Sequence, residues 1–160
     1  MTAPAKQRVL VVDDDQDIRE SLEVLLSDLG YDVLLAADGT AGMARAERDA
    51  PDLVMLDLMI PYRSGIAVLD SLKARTIHRL PVIMMSGSTE TRHRELAESH
   101  GADGWLAKPF DEAHLLGILH RVLPDSSDKP SGPRRPVSFP SFNSNEAAKS
   151  GGFRLCIPPR

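Results

Sequence analysis

The chain has a single cysteine, Cys156, in 160 residues, so no disulfide can form within it. A reducing, cytoplasmic setting is the default for such a chain. Long hydrophobic runs are also missing. None approaches the ~20 apolar residues that a membrane-spanning helix needs, so no membrane span is expected. The apolar stretch that follows the basic residues of the N-terminus, residues 9–12, is too short for a secretory signal. Neither G-x-G-x-x-G nor G-x-x-x-x-G-K-[ST] occurs, so a glycine-rich nucleotide cradle finds no support. Positive charge is scarce over most of the length. Residues 1–125 hold 21 Asp+Glu against 13 Lys+Arg, a net of −8, whereas residues 126–160 hold 2 acidic and 6 basic residues, a net of +4. An acidic body argues against nucleic acid as its direct ligand.

What is present is one domain's worth of regular pattern. Apolar residues make up 42% and charged residues 26%, values that fit a globular core with some weakly structured sequence attached. Up to about residue 125 one unit repeats five times: a short apolar run, then a longer amphipathic segment. Residues 9–12 read as a strand, too short and too β-branched for a free helix, and the short apolar runs 33–37, 53–56, 82–85 and 105–107 read as four more strands. The intervening stripes predict helices over 17–29, 39–49, 66–74, 89–100 and 113–123, with Gly30 placed to end the first and Pro51 lying beyond the second. Central strands that are apolar on both faces are those of a parallel sheet covered by helices on both sides. A doubly wound α/β domain of about 120 residues follows, with its ligand site beyond the C-terminal strand ends.

The polar residues at those strand ends carry the chemistry. The first strand runs into Asp13, Asp14 and Asp15, the third into Asp57, the fourth into Ser86 and the fifth into Lys108. In a parallel sheet these positions share one end. Crowded carboxylates disfavour one another's charge. A divalent cation relieves this, and oxygen donors are what Mg²⁺ prefers. A cation and Lys108 together could offset the charge on a transferring phosphoryl group, Asp57 could act as the nucleophile, and Ser86 could donate to a phosphate oxygen. Each element alone has a plainer reading. A strand-end Asp is commonly a cap or a solvent-facing group, Asp15 or Gln16 could serve only to begin a helix, and Lys-Pro at a strand end means little by itself.

Four segments in order, VLVVDDD at 9–15, DLVMLDLMIP at 52–61, VIMMSG at 82–87 and GADGWLAKPF at 101–110, resemble the receiver domain of two-component response regulators. The resemblance covers roughly residues 7–123. It implies a flavodoxin-like (βα)5 fold with a five-stranded parallel sheet in the order 2-1-3-4-5. It implies Asp57 as phospho-acceptor, with Mg²⁺ (or Mn²⁺ in its place) held directly by Asp14, Asp57 and the backbone carbonyl of Met59, and by Asp13 mainly through water. It implies Ser86 as the hydroxyl that senses the phosphoryl oxygen, Lys108 as the phosphate-contacting cation before a cis Lys-Pro junction, and Trp105 in the slot of a switching aromatic usually filled by Tyr or Phe. A Trp that packs in the core and never switches is the alternative. Met59 and Ser88 occupy positions from which a polar side chain can orient hydrolytic water. Neither is suited to that, so slow self-dephosphorylation is expected.

The implied donor is a phosphohistidine on a sensor histidine kinase or a phosphotransfer protein. The implied output is a protein contact on the face formed by the fourth helix, fifth strand and fifth helix. Leu115, Leu119 and Trp105 lie beside or beneath that face, with simple core packing as the other account of the leucines. The expected division is a short arm at 1–6, a receiver at 7–125 and a Pro/Ser/Gly-rich basic tail at 126–160. The tail holds seven Ser, six Pro and three Gly and is expected to be disordered. A docking segment anchored by Phe139 and Phe142, or pairing of Arg134, Arg135 and Lys149 with the acidic domain or weakly with nucleic acid, are the alternatives to a solvated linker. With no length for a second folded domain and no DNA-binding module in view, a stand-alone receiver is expected. A phosphorylation-independent interaction module, or a phosphate sink for a shared kinase, are the competing functions.

Overall fold

The computed structural model describes residues 5–75 and 80–123. Strands and helices alternate throughout: β1 (Arg8–Val12), α1 (Gln16–Asp28), β2 (Asp32–Ala36), α2 (Gly39–Asp49), β3 (Leu53–Asp57), α3 (Gly65–Arg75), β4 (Val82–Ser86), α4 (Thr91–Ser99), β5 (Gly104–Ala107) and α5 (Glu112–Val122). All four strand pairings are parallel and the order is β2-β1-β3-β4-β5, the doubly wound sheet that the sequence implies. Every predicted element is present, with ends displaced by a residue or two. Among the described residues no helix is long and apolar enough to cross a membrane. Residues 1–4 of the arm and the whole tail, with Phe139, Phe142, Arg134, Arg135, Lys149 and Cys156, lie outside the described residues.

Strand side chains alternate between faces, and in the central strands β1, β3 and β4 both faces are buried. Val9, Val11, Leu53, Met55, Ile83, Met85 and Leu106 pack with Leu22 and Leu26 of α1 and Leu115, Ile118 and Leu119 of α5. The residues between them, Leu10, Val12, Val54, Leu56, Val82 and Met84, pack with Met43 of α2, Val68, Leu69 and Leu72 of α3 and Ala97 of α4. Each such side chain contributes about 1.5–3 kcal/mol through burial, so the sequence of every central strand is fixed on both sides. Leu115 and Leu119 have no exposed surface, as simple core packing requires.

Helix ends follow local chemistry. Asp15 caps α1, its carboxylate accepting from the N–H groups of Asp17 and Ile18, and Asp38 and Asp111 do the same for α2 and α5. Gly30 follows α1 with φ +92°, a conformation open to glycine. The β3–α3 loop is tighter. A Cβ on Gly65 would stand 2.4 Å from the Asp57 carbonyl oxygen and 2.8 Å from Leu58 Cα. Both are backbone atoms, so neither can swing aside. Gly65→Ala is therefore expected to destabilise the fold by roughly 1–3 kcal/mol in urea unfolding. Alanine at wild-type stability would show that the loop is not held against α3 in this way.

Candidate functional site

The alternation that builds the core also sorts the polar strand ends. Asp13 continues the Val9–Val11 row, Asp57 the Leu53–Met55 row and Lys108 the row of Leu106, so all three emerge on the α1/α5 side. Ser86 continues the Val82–Met84 row, on the side of α3 and α4, and Trp105 shares that side. The charged groups and the hydroxyl thus meet at one end of the sheet from opposite faces.

The Lys108 ammonium sits between two carboxylates, donating to Asp13 Oδ2 at 2.6 Å and standing 3.3 Å from Asp57 Oδ1. Asp13 is fully buried and Asp57 is 6% exposed. Asp57 thus lies deeper than a rim position suggests, as the closing residue of β3 opposite Met85. The other oxygen of Asp13 accepts the Asp15 N–H at 3.0 Å, and its carbonyl accepts from Arg19 Nη1 at 2.8 Å. Asp14 is exposed beside this pair. One carboxylate oxygen from each of Asp13, Asp14 and Asp57 fits within a 4.8 Å span.

Burial holds the Asp57 carboxyl above the ordinary aspartate range, and the Asp13 charge adds to this. Lys108 and, to a smaller degree, the Met59 N–H pull the other way. For Lys108, burial opposes its charge, but the Asp13 hydrogen bond and the charges of Asp57 and Asp13 together outweigh it and raise the ammonium above the ordinary lysine range. Three carboxylates thus face two cations among the described residues, Lys108 between Asp13 and Asp57 and Arg19 on the Asp13 carbonyl, and negative charge remains in excess. The surplus negative charge, the all-oxygen donor set and its compact span fit a divalent ion such as Mg²⁺.

The remaining predicted residues fall around this centre. Ser86 closes β4, is 2% exposed, and its carbonyl accepts the Lys108 N–H at 2.8 Å, which joins the two loops. The Lys108–Pro109 peptide is cis. The Met59 side chain is 73% exposed. Trp105 is half-buried against the α3/α4 side of the core. Two groups escaped the sequence reading: Arg19, which braces the Asp13 backbone, and His93, which reaches Ser88. For Arg19 a signal existed, a cation in the opening turns of the helix that follows the acidic cluster.

Comparison with known proteins places the chain. Residues 9–120 match the model of the response regulator receiver domain, and the chain belongs to that family. It is 38% identical over 127 residues to a probable transcriptional regulator, ycf27, of Porphyridium aerugineum, across 77% of this chain and 52% of that protein. It is 36% identical over 126 residues to the DNA-binding response regulator MtrA of Mycobacterium tuberculosis, across 79% and 54%. The chain thus spans about half the length of the curated relatives it matches. Among solved structures, the chemotaxis protein CheY4 of Vibrio cholerae superposes with a TM-score of 0.71 at 33% identity, covering 74% of this chain and all of that one. The receiver domain of the sensor histidine kinase PA1611 of Pseudomonas aeruginosa, solved with magnesium coordinated in its active-site cleft, gives 0.68 at 33% identity, covering 74% and 98%. As a member of this family the chain carries a phosphoryl-accepting receiver domain.

The surplus charge generates a stability prediction. In chelator near neutral pH, Asp57→Asn removes a buried charge beside Asp13 and is expected to melt above wild type. Magnesium at ten times its Kd stabilises wild type by about 1.4 kcal/mol, a rise of a few degrees, and moves D57N less. Differential scanning calorimetry checks both. A D57N protein that melts below wild type in chelator would contradict the electrostatic account.

Proposed function

We propose that Asp57 is the phosphoryl acceptor, fed from a phosphohistidine on a sensor histidine kinase or a histidine phosphotransfer protein, and that the acyl phosphate is read out by protein contact. The observation that carries this reading is the Lys108 ammonium poised between Asp13 and Asp57. An Asp57 oxygen attacks phosphorus, the phosphorus–nitrogen bond to the donor imidazole breaks, and its electron pair stays on that ring. Lys108 follows the charge that builds on the phosphoryl oxygens, and the buried Ser86 hydroxyl donates to one of them.

Asp14, Asp57 and the Met59 carbonyl would hold Mg²⁺ or Mn²⁺ directly. Both Asp13 oxygens already have partners, the Asp15 N–H and Lys108, which supports contact through water for this residue. When bound, the cation supplies charge neutralisation between the attacking carboxylate and the incoming phosphoryl group.

Phosphorylation adds about 1.5–2 negative charges. The Ser86 and Lys108 loops lead to the face of α4, β5 and α5. A cleft of about 280 Å³ opens there on Trp105, Phe110 and Ile118, with Arg94 and Arg121 among its lining residues. An aromatic, basic-edged cleft at the end of the switch loops supports this face as the site of a downstream protein target. Trp105 lies in that lining and also packs on the core, so a rotation of its ring would couple the two.

Incubated with Mg²⁺ and acetyl phosphate, the protein is expected to gain the mass of one phosphoryl group, and D57N none. Lys108→Ala is expected to slow the gain by about 10²–10³. With an exposed thioether at Met59 and a small hydroxyl at Ser88, neither able to orient water strongly, the acyl phosphate should persist for minutes or longer once donor is removed. Loss within seconds would contradict this, and a phosphorylated D57N protein would displace Asp57 from its role.

A further inference from the structure

The Ser86 hydroxyl belongs to a chain of side-chain contacts separate from the ion pairs of Lys108. The Ser88 N–H donates to Ser86 Oγ at 3.0 Å. Ser88 Oγ in turn accepts the Glu90 N–H at 3.2 Å and meets His93 Nδ1 at 3.0 Å. The Glu90 carboxylate stands 3.7 Å from His93 Nε2 on the other edge of the ring. With the Glu90 N–H occupying one lone pair of Ser88 Oγ, the serine proton is free to point at Nδ1. The tautomer with its proton on Nε2, facing Glu90, then completes the network.

The start of α4 has little else to hold it. Ala97 is the one buried residue of the helix, Leu96 is 45% exposed, and the N-cap residue Glu90 makes no side-chain capping bond. The far end is fastened separately, by His100 Nδ1 on Asp70 Oδ1 of α3 at 2.6 Å. The link between the Ser86 hydroxyl and the start of α4 therefore runs through Ser88, which meets both the Glu90 N–H and the His93 side chain.

We propose that His93 is a positioning residue that holds the β4–α4 loop in the arrangement belonging to unmodified Asp57. It fixes Ser88, and Ser88 keeps the Ser86 oxygen engaged with its own N–H. This rests on the reading of Asp57 as acceptor and Ser86 as donor to the phosphoryl group. A phosphoryl group that draws Ser86 toward itself must lengthen the Ser88 N–H contact and disturb the one behind it. Contacts made in only one of two arrangements oppose any ligand that favours the other. Removing the latch should accordingly tighten binding of a phosphoryl mimic. Mere loss of structure would weaken it.

The test is calorimetric titration of the full chain with beryllofluoride in saturating Mg²⁺. H93A and S88A are each expected to bind on the order of three- to tenfold tighter than wild type, the range of one neutral hydrogen bond. The double variant should gain no more than S88A alone, since that change already removes the contact His93 makes. H93N, whose amide reaches the position of Nδ1, should return to wild-type affinity. H93A and S88A that bind as wild type or more weakly, or whose gains add, would overturn the proposal while leaving Asp57 as acceptor. Wild-type protein that binds no beryllofluoride would remove the Asp57 reading, and this inference with it.

Discussion

The geometry of the site depends on one ammonium group placed between two buried carboxylates. Lys108 reaches Asp13 at 2.6 Å and Asp57 at 3.3 Å from the loop after β5, and so ties the fifth strand to the first and third. Burying an ion pair costs desolvation that is offset only when the geometry is close and the remaining polar atoms find partners. Here they do. The Asp15 N–H satisfies the second Asp13 oxygen and Arg19 takes its carbonyl. The balance still leaves negative charge in excess, and Asp57 registers it as a carboxyl raised above its ordinary range by burial and by Asp13. A site that is under-neutralised in this way is prepared for a divalent cation and for a phosphoryl group brought with it.

The two faces of the sheet divide the work. Asp13, Asp57 and Lys108 emerge with the residues that pack on α1 and α5, and Ser86 and Trp105 with those that pack on α3 and α4. Chemistry at the carboxylates can therefore be felt across the sheet without a long relay, because Ser86 and Lys108 are joined by a backbone hydrogen bond of 2.8 Å at its edge. Helix α4 is the lightly packed element of this arrangement, with one buried residue and polar contacts at both ends. Elements that move in a switch are drawn from the weakly held part of a fold.

Much of this was legible in the sequence, for physical reasons that also mark where legibility stopped. The four-residue apolar runs of β1, β3 and β4 are those of central strands buried on both faces, so the sheet and its site-bearing edge followed from pattern. The assembly of Asp13, Asp57 and Lys108 followed from strand ends sharing one edge. Burial depth did not, because it depends on how the loops close over the strand ends: Asp57 lies inside rather than at the rim, and Asp13 has no exposed surface. The His93–Ser88 contact was equally hidden, since four residues of loop and helix start separate the partners and no periodicity relates them. Resemblance supplied the 2-1-3-4-5 order and the cis peptide at Lys108–Pro109, both present in the fold. DNA binding is named for MtrA, which is about twice as long as the matched region. The receiver chemistry described here lies wholly within that region.

The central claim is that these acidic side chains converge to hold a cation against Asp57. It is tested most directly by the anomalous scattering of Mn²⁺ in crystals of the protein. The account predicts a single strong peak within about 2–2.5 Å of carboxylate oxygens of both Asp14 and Asp57. A peak confined to other surface acids, or none at the strand ends under saturating Mn²⁺, would contradict it.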